Sequence, residues 1–242
     1  MQFGSLPRLY LEKKRREDAL FSYVETYLKE EIQQEALTRN VPAFYRFLEV
    51  AAQQNSNTIN YSSIAAQVGV SDNTVKQYFE ILSDTLIGTI FPAFDHSVRK
   101  QLVKANKFYF FDSGVLNAIT GDLKTELLRS SYRFGRLFET FIINEVVRLN
   151  EYLGFKYKLS YWRTLNGQEV DLIISKKISE GPTFAIEIKS SESPNTTDIS
   201  SLKAIKEEFP NVSTFCFCNT PVPYNLEGIE VLPWQKGLER IL

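Results

Sequence analysis

The chain has 242 residues, enough for one or two domains, and is 43% hydrophobic and 24% charged, an ordinary balance for a protein with a buried core. Lys and Arg number 28 against 29 Asp and Glu, a net charge of −1 that excludes an overall basic nucleic-acid coat but leaves room for a local basic patch. No run of about 18 apolar residues occurs, so no membrane-spanning helix and no membrane partner are expected.

Other classes also drop out. The start, MQFGSLPRLYLEKKRRED, lacks the apolar stretch of a secretion signal. The 2 cysteines, Cys216 and Cys218, make no disulfide framework, and in the run STFCFC a strand places both on one face. A reducing cytoplasm fits these features. His96 is the single histidine, so a zinc site built on several histidines is impossible. There is no G-x-x-x-x-G-K-[ST] phosphate loop, hence no nucleotide site in this chain, and no G-x-S-x-G nucleophile elbow.

Residues 17–37 carry Leu20, Val24, Tyr27, Leu28 and Ile32 at helical spacing. Asn40-Val41-Pro42 breaks that helix, and Pro42 suits the first turn of the next, PAFYRFLEVAAQQ. Thr58-Ile59-Asn60 reads as a short strand. Ser62 is the expected cap of a short helix that Gly69 ends, and Ser71 caps a longer one, SDNTVKQYFEILSDTL. Two β-like runs, LIGTIFPAF and KFYFFD, flank the basic segment DHSVRKQLVKAN. Helix, short strand, two helices and a two-stranded tail is the order of a winged helix, within a helical domain over residues 1–112.

The remainder, residues 113–242, begins with the amphipathic helix FGRLFETFIINEVVRLN. KLSYWRTL and QEVDLIIS read as strands joined at Asn166-Gly167, a strong hairpin signal. TFAIEIKS is a third strand, DISSLKAIKEEF a helix and VSTFCFC a further strand. The expected fold class is α/β: a helical and winged-helix part, then a mixed sheet flanked by helices.

Alternation puts Asp171 on one face of its strand with Glu169 and Ile173. Glu187 and Lys189 point together from the next strand, opposite Phe184, Ile186 and Ile188. Neighbouring strands would bring Asp171, Glu187 and Lys189 to one patch. Two close carboxylates repel unless a cation sits between them, and a hard divalent ion is the natural occupant.

Asp171 followed by Glu187-Ile188-Lys189 resembles the D…(D/E)-x-K pattern of the PD-(D/E)XK nuclease superfamily, whose fold is restriction-endonuclease-like. The usual Pro before the Asp is replaced by Val170. The preceding helix GRLFETFIINEV looks like the first helix of that fold and implies Glu139, with Glu145 second, as a further acid at the metal. The order KFYFFDSGVLNAITG, GRLFETFIINEV, YWRTLNGQEVDLII, AIEIKSS is similar to the C-terminal half of a group of prokaryotic proteins with an AAA-type ATPase domain in front, a half long described as a domain of unknown function. The resemblance covers residues 18–242; the ATPase domain itself is not in this chain. It implies Mg²⁺ or Mn²⁺ on Asp171 and Glu187, Lys189 at the attacking water or developing charge, and phosphodiester hydrolysis.

Three readings stay open. One is a metal-dependent nuclease associated with DNA. The second is a non-catalytic DNA- or protein-binding module serving the ATPase. The third is a regulator that uses only the winged helix. The candidate recognition helix is net acidic through Asp72, Glu80 and Asp84, but Asn73, Thr74, Lys76 and Gln77 near its start could reach bases. Arg99, Lys100, Lys104 and Lys107, with His96, form a basic segment for phosphates. Trp162-Arg163 is expected to pack on the sheet rather than stack on nucleic acid.

Overall fold

Capping side chains set out the first half of the chain. The computed structural model describes residues 1–11, 13–28, 40–95 and 105–241. After α1 (Pro7–Leu11), α2 (Arg16–Ser22) continues into a wider π-type stretch, Tyr23–Leu28. The rest of the helix expected to residue 37, including Ile32, lies outside the described residues. The cap of α3 (Val41–Gln53) is Asn40, whose side chain accepts the Ala43 amide at 3.2 Å, and Pro42 sits in its first turn.

α4 (Tyr61–Val68) is capped by Asn60, not Ser62: Asn60 Oδ1 accepts the Ser63 amide at 3.0 Å, and Ser62 itself donates to that oxygen. Both residue types cap well, but Asn60 is the last extended residue and lies three before the first free amide. The strand expected at 58–60 is a single bridge, Thr58 to Lys107. Gly69 ends α4 at φ 78°, and Ser71 caps α5 (Asp72–Asp84) by accepting the Thr74 amide. β1 (Gly88–Phe91) and β2 (Lys107–Phe110) pair as a two-stranded sheet. Phe44 and Phe47 of α3, Tyr78 and Phe79 of α5, and Phe108 and Phe110 of β2 form a chain of edge and tilted ring contacts at 4.9–5.6 Å.

The chain divides into two units: Met1–Ile90 with Lys107–Leu128, and Phe91–Asn106 with Arg129–Leu242. The division falls after Leu128 rather than after residue 112. The cause is α6 (Ser113–Ile119), whose Val115 and Ala118 join Leu9, Leu20 and Val24 in one apolar cluster of the first unit. Asp112 caps α6 with one oxygen and takes the Ser5 amide with the other.

The second unit opens with α7 (Tyr132–Tyr152), capped by Ser131. β3 (Lys158–Arg163), β4 (Glu169–Ser175) and β5 (Phe184–Ile188) form the expected antiparallel meander, with Gly167 at φ 85° in the hairpin. α8 (Ser200–Glu208) crosses over to β6 (Ser213–Cys218), parallel to β5. β7 (Tyr224–Leu226), β8 (Ile229–Pro233) and α9 (Trp234–Ile241) complete the unit, and the sheet order is β3-β4-β5-β6-β8-β7. Leu202 and Ile205 of α8 share a buried cluster with Ala185 and Cys216. Phe217 points the other way, against Gly237 of α9, where a Cβ would run into the ring. α9 meets α7 through Trp234 and Phe141, rings 5.1 Å apart edge to face. Helices therefore cover both faces of a mixed six-stranded sheet. Trp162 is buried in the cluster under α8, as expected for packing. No helix among the described residues is long and apolar enough to cross a membrane.

Candidate functional site

The antiparallel register of β4 and β5 pairs Leu172 with Ile186 and Ile173 with Ala185. Asp171 precedes Leu172 and Glu187 follows Ile186, so both carboxylates leave the sheet on the face of Ile173 and Ala185. On its other side Glu187 is level with Cys216 of β6. That inner position explains its burial: Glu187 is 5% exposed. Asp171 is half-buried, and its Oδ2 accepts the Ile188 amide at 2.8 Å. The Lys189 amide donates to the Phe217 carbonyl at 2.9 Å, so β6 still holds the backbone one residue past β5.

The side chain of Lys189 turns back on Glu187, with Nζ donating to Oε1 at 2.7 Å. Oε2 of Glu187 is buried and lacks a hydrogen-bond partner among the described residues. Burial, and then the charge of Asp171, push the Glu187 carboxyl well above the usual carboxylate range, with Glu139 adding to the shift and Lys189 opposing it. Burial alone would lower Lys189, but Glu187 and Asp171 outweigh it and raise its affinity for the proton.

Glu139, half-buried on α7, comes from the opposite direction in sequence. Gly135, one turn earlier on the same face, lies against Ser190, where a Cβ would sit 3.6 Å from its hydroxyl. This places the Glu139 turn at the end of β5, in keeping with its electrostatic effect on Glu187. Glu145 instead pairs with Arg148 at 2.7 Å and is spent on the helix surface.

Among the described residues no group of three or more His, Cys, Asp or Glu is arranged to hold a metal. The pair Asp171 and Glu187 is the donor set to weigh. A small hard cation is commonly held by one or two carboxylates and keeps several waters. A buried carboxylate oxygen without a partner, on a group whose ionisation is disfavoured, suits such an ion chemically.

Sequence reasoning did not single out three contributors. Asp198 acts electrostatically on Lys189 and accepts the Asn195 amide at 2.8 Å; the N-x-x-D spacing was the available signal. Asn219 donates from Nδ2 to the Ser190 carbonyl at 2.8 Å and from its amide to Ser191, fixing the loop after Lys189. Cys216 is the inner neighbour of Glu187, a pairing that only the register reveals.

The candidate nucleic-acid residues separate. Asn73, Lys76 and Gln77 are exposed on the first turns of α5, with Lys76 Nζ 5.5 Å from the centre of the Tyr61 ring. Thr74 is half-buried, with its hydroxyl 2.8 Å from that of Ser71. Lys107 is 3% exposed in β2, which withdraws it from a phosphate-binding surface. Its alternation with Phe108 did not forecast this, because all four residues of β2 are buried. His96, Arg99, Lys100 and Lys104 lie outside the described residues.

Comparison with known proteins adds families without functions. The model described as "Domain of unknown function (DUF8612)" matches residues 1–126, and that described as "Domain of unknown function (DUF4143)" matches residues 134–236. The gap between them brackets the division after Leu128. The chain is 22% identical over 194 residues to the "Uncharacterized protein Rv2008c" of Mycobacterium tuberculosis and, equally, to the "Uncharacterized protein Mb2031c" of Mycobacterium bovis. The alignment covers 79% of this chain and 42% of each relative, so the chain spans about two fifths of the curated proteins it matches. No solved structure matches.

Proposed function

We propose that this chain, which belongs to the family described as domain of unknown function DUF8612, is a DNA-associated module with a PD-(D/E)XK-like site for Mg²⁺- or Mn²⁺-dependent phosphodiester hydrolysis. The observation that carries the reading is the state of Glu187: buried, short of one hydrogen-bond partner, and disfavoured as an anion beside Asp171 and Glu139. Asp171 and Glu187 would hold the ion, with Glu139 supporting them. When bound, the ion supplies charge neutralisation at a phosphate and a more acidic water. Lys189 keeps its positive charge throughout, so its Nζ can stabilise negative charge developing on a phosphate oxygen. The Ile188 amide holds Asp171 Oδ2 in place, so one carboxylate is oriented before anything binds.

The winged-helix reading of the first unit belongs to this proposal. It rests on the order α3, α4, the Gly69 turn, α5 and the β1–β2 pair, with Asn73, Lys76 and Gln77 on the exposed side of α5. The AAA-type ATPase partner rests on the sequence resemblance and on relatives of which the aligned stretch makes up 42%; a place in the cytoplasm rests on the sequence having only 2 cysteines and no apolar secretion stretch at its start.

A specific observation favours a second reading, a non-catalytic module serving that ATPase. Lys189 already neutralises one oxygen of Glu187, and the described residues offer no third acidic ligand in a metal-holding group. Plasmid nicking in Mg²⁺, Mn²⁺ or EDTA separates the two. Hydrolysis expects metal-dependent nicking that Asp171→Ala and Lys189→Ala both abolish. No nicking, or nicking that survives both variants, moves the assignment to the non-catalytic module.

A further inference from the structure

The turn from α7 into β3 carries features that the hydrolytic site does not use. Its sequence, Gly154-Phe155-Lys156-Tyr157-Lys158, alternates aromatic and basic side chains. Gly154 and Lys156 have positive φ, 70° and 56°. The buried Asn150 fixes this shape. Its Nδ2 donates to the Tyr157 carbonyl at 3.1 Å, its Oδ1 accepts the Tyr157 amide at 2.9 Å, and its own carbonyl accepts the Phe155 amide at 3.2 Å.

The result is a stack of two rings at the surface. Phe155 and Tyr157 lie nearly parallel, 9° apart, with centroids separated by 5.2 Å. Phe155 is 36% exposed, and Tyr152 and Leu153 just before it are 89% and 51% exposed. Lys156 and Lys158 flank Tyr157 in the sequence. Lys176 follows Ser175, the register partner of Lys158, and so leaves the sheet beside them. All three lysines are exposed, and among the described residues none has an ion pair. Lys177 is neutralised by Glu180, and the one acid in the turn itself is Glu151.

A protein partner would be poorly served by this surface, because lysines are depleted where apolar protein interfaces close. Flat rings interleaved with unpaired cations match a different chemistry: bases that stack and phosphates that are negative. Duplex bases are already stacked on each other and offer no free face to a ring.

We propose that the Phe155–Tyr157 stack is a docking platform for single-stranded nucleic acid, with bases on the rings and phosphates facing Lys156, Lys158 and Lys176. It lies at the end of β4 away from Asp171, about 13 Å along the strand. The inference stands apart from the hydrolytic reading: the platform would bind a strand whether or not the distant site cuts one.

The test is fluorescence anisotropy of a labelled oligothymidylate of roughly 12 nucleotides, within the usual site sizes of about 4–16, with the whole chain in EDTA. A duplex of the same length is the comparison. The single strand is expected to bind more tightly than the duplex. Phe155→Ala and Tyr157→Ala should each weaken it by roughly 5- to 150-fold, the equivalent of about 1–3 kcal/mol per stacked base. Tyr157→Phe should retain affinity. Each Lys→Ala at 156, 158 or 176 should lower the dependence of log K on log salt by about 0.7. Circular dichroism of each variant checks that the fold is intact. The proposal is overturned if folded Ala variants bind unchanged, if the duplex is preferred, or if no single strand binds at low salt. It is equally overturned if the ring variants abolish self-association of the chain and leave oligonucleotide binding untouched.

Discussion

Lys189 Nζ lies 2.7 Å from Oε1 of Glu187, two residues before it on the same strand end, while Oε2 of that carboxylate is buried without a hydrogen-bond partner among the described residues. The ion pair therefore satisfies half of Glu187. The rest is left to a proton or to another cation, and the predictions on this site follow from that imbalance.

The first concerns pH. The folded state holds the Glu187 proton more tightly than the unfolded state does, mainly because burial penalises the anion. The stability from this group is complete below the unfolded pKa of about 4.3 and is lost as pH rises through the higher folded value. Lys189, raised in the folded state, adds stability that fades only in the alkaline range, so it does not disturb this window. Glu187→Gln removes the buried anion, and the half-hydrated Lys189 keeps Asp171 nearby. The variant should melt higher than the wild type by about 2–4 °C at neutral pH, roughly 1 kcal/mol for a domain of this size. The difference should close below about pH 4. Calorimetry across that range in EDTA checks it; a constant difference, or a lower melting point at neutral pH, sinks the assignment.

In the wild type a divalent ion should offset the penalty of the buried anion. Binding to the folded state alone at about 100 times Kd adds roughly 2.7 kcal/mol, or about 5–10 °C in Tm. Mg²⁺ or Mn²⁺ should therefore raise the wild-type melting point, and EDTA should return it. Asp171→Asn and Glu187→Gln should each lose most of the response. Identical wild-type melting with and without the ions would show that the carboxylate pair holds none.

How far the sequence led depends on how local each cause is. Ser71, Gly69 and Asn166-Gly167 act on their own neighbours, and each stands where its chemistry places it. Ser62 failed because Asn60, two residues earlier, starts the helix first and takes the Ser63 amide, which leaves Ser62 inside the first turn. The β7–β8 hairpin and α9 were unforeseen. β7 has only 3 residues, and Gly237 weakens the helical pattern of α9 for a reason visible only in three dimensions, the Phe217 ring against it. At the site, alternation alone brought Asp171, Glu187 and Lys189 to one face. It did not reveal which carboxylate is buried, since that depends on β6 lying beside β5 and on α8 covering the cluster.

Leu86 offers a prediction outside the site. It follows the C-cap of α5 with φ 59° and is 78% exposed. The Ile87 amide bonds the Leu82 carbonyl at 2.8 Å and the Leu86 amide bonds Ser83 at 3.1 Å, the closing pattern that ordinarily carries glycine. A branched side chain in that region costs about 1–2 kcal/mol, and glycine gives back part through its freer unfolded chain. Leu86→Gly should stabilise by about 0.5–1 kcal/mol, read as a higher urea midpoint at unchanged slope. A lower midpoint would mean that the leucine makes a contact worth more than the strain.

Asp112 joins two segments 107 residues apart. Oδ1 accepts the Gly114 and Val115 amides at 2.8 and 3.0 Å, while Oδ2 accepts the Ser5 amide at 2.7 Å. Gly4, at φ 66°, has no room for a Cβ beside that carboxylate, and Gly114 has none beside Phe3. Asp112→Ala removes a helix cap, typically about 1 kcal/mol, and strands buried donors at about 1–3 kcal/mol each. A loss of roughly 2–4 kcal/mol is expected. Asp112→Asn keeps one acceptor for α6 but turns an amide donor toward Ser5, so it should cost less and act at one end. Hydrogen exchange distinguishes the two: the alanine variant should speed Ser5, Gly114 and Val115 together, the asparagine variant Ser5 alone. Gly4→Ala should resemble the alanine variant, since its Cβ would run into Oδ1, the oxygen that caps α6. An alanine variant within about 0.5 kcal/mol of the wild type, the range of an ordinary surface substitution, would mean that neither set of bonds stabilises the fold.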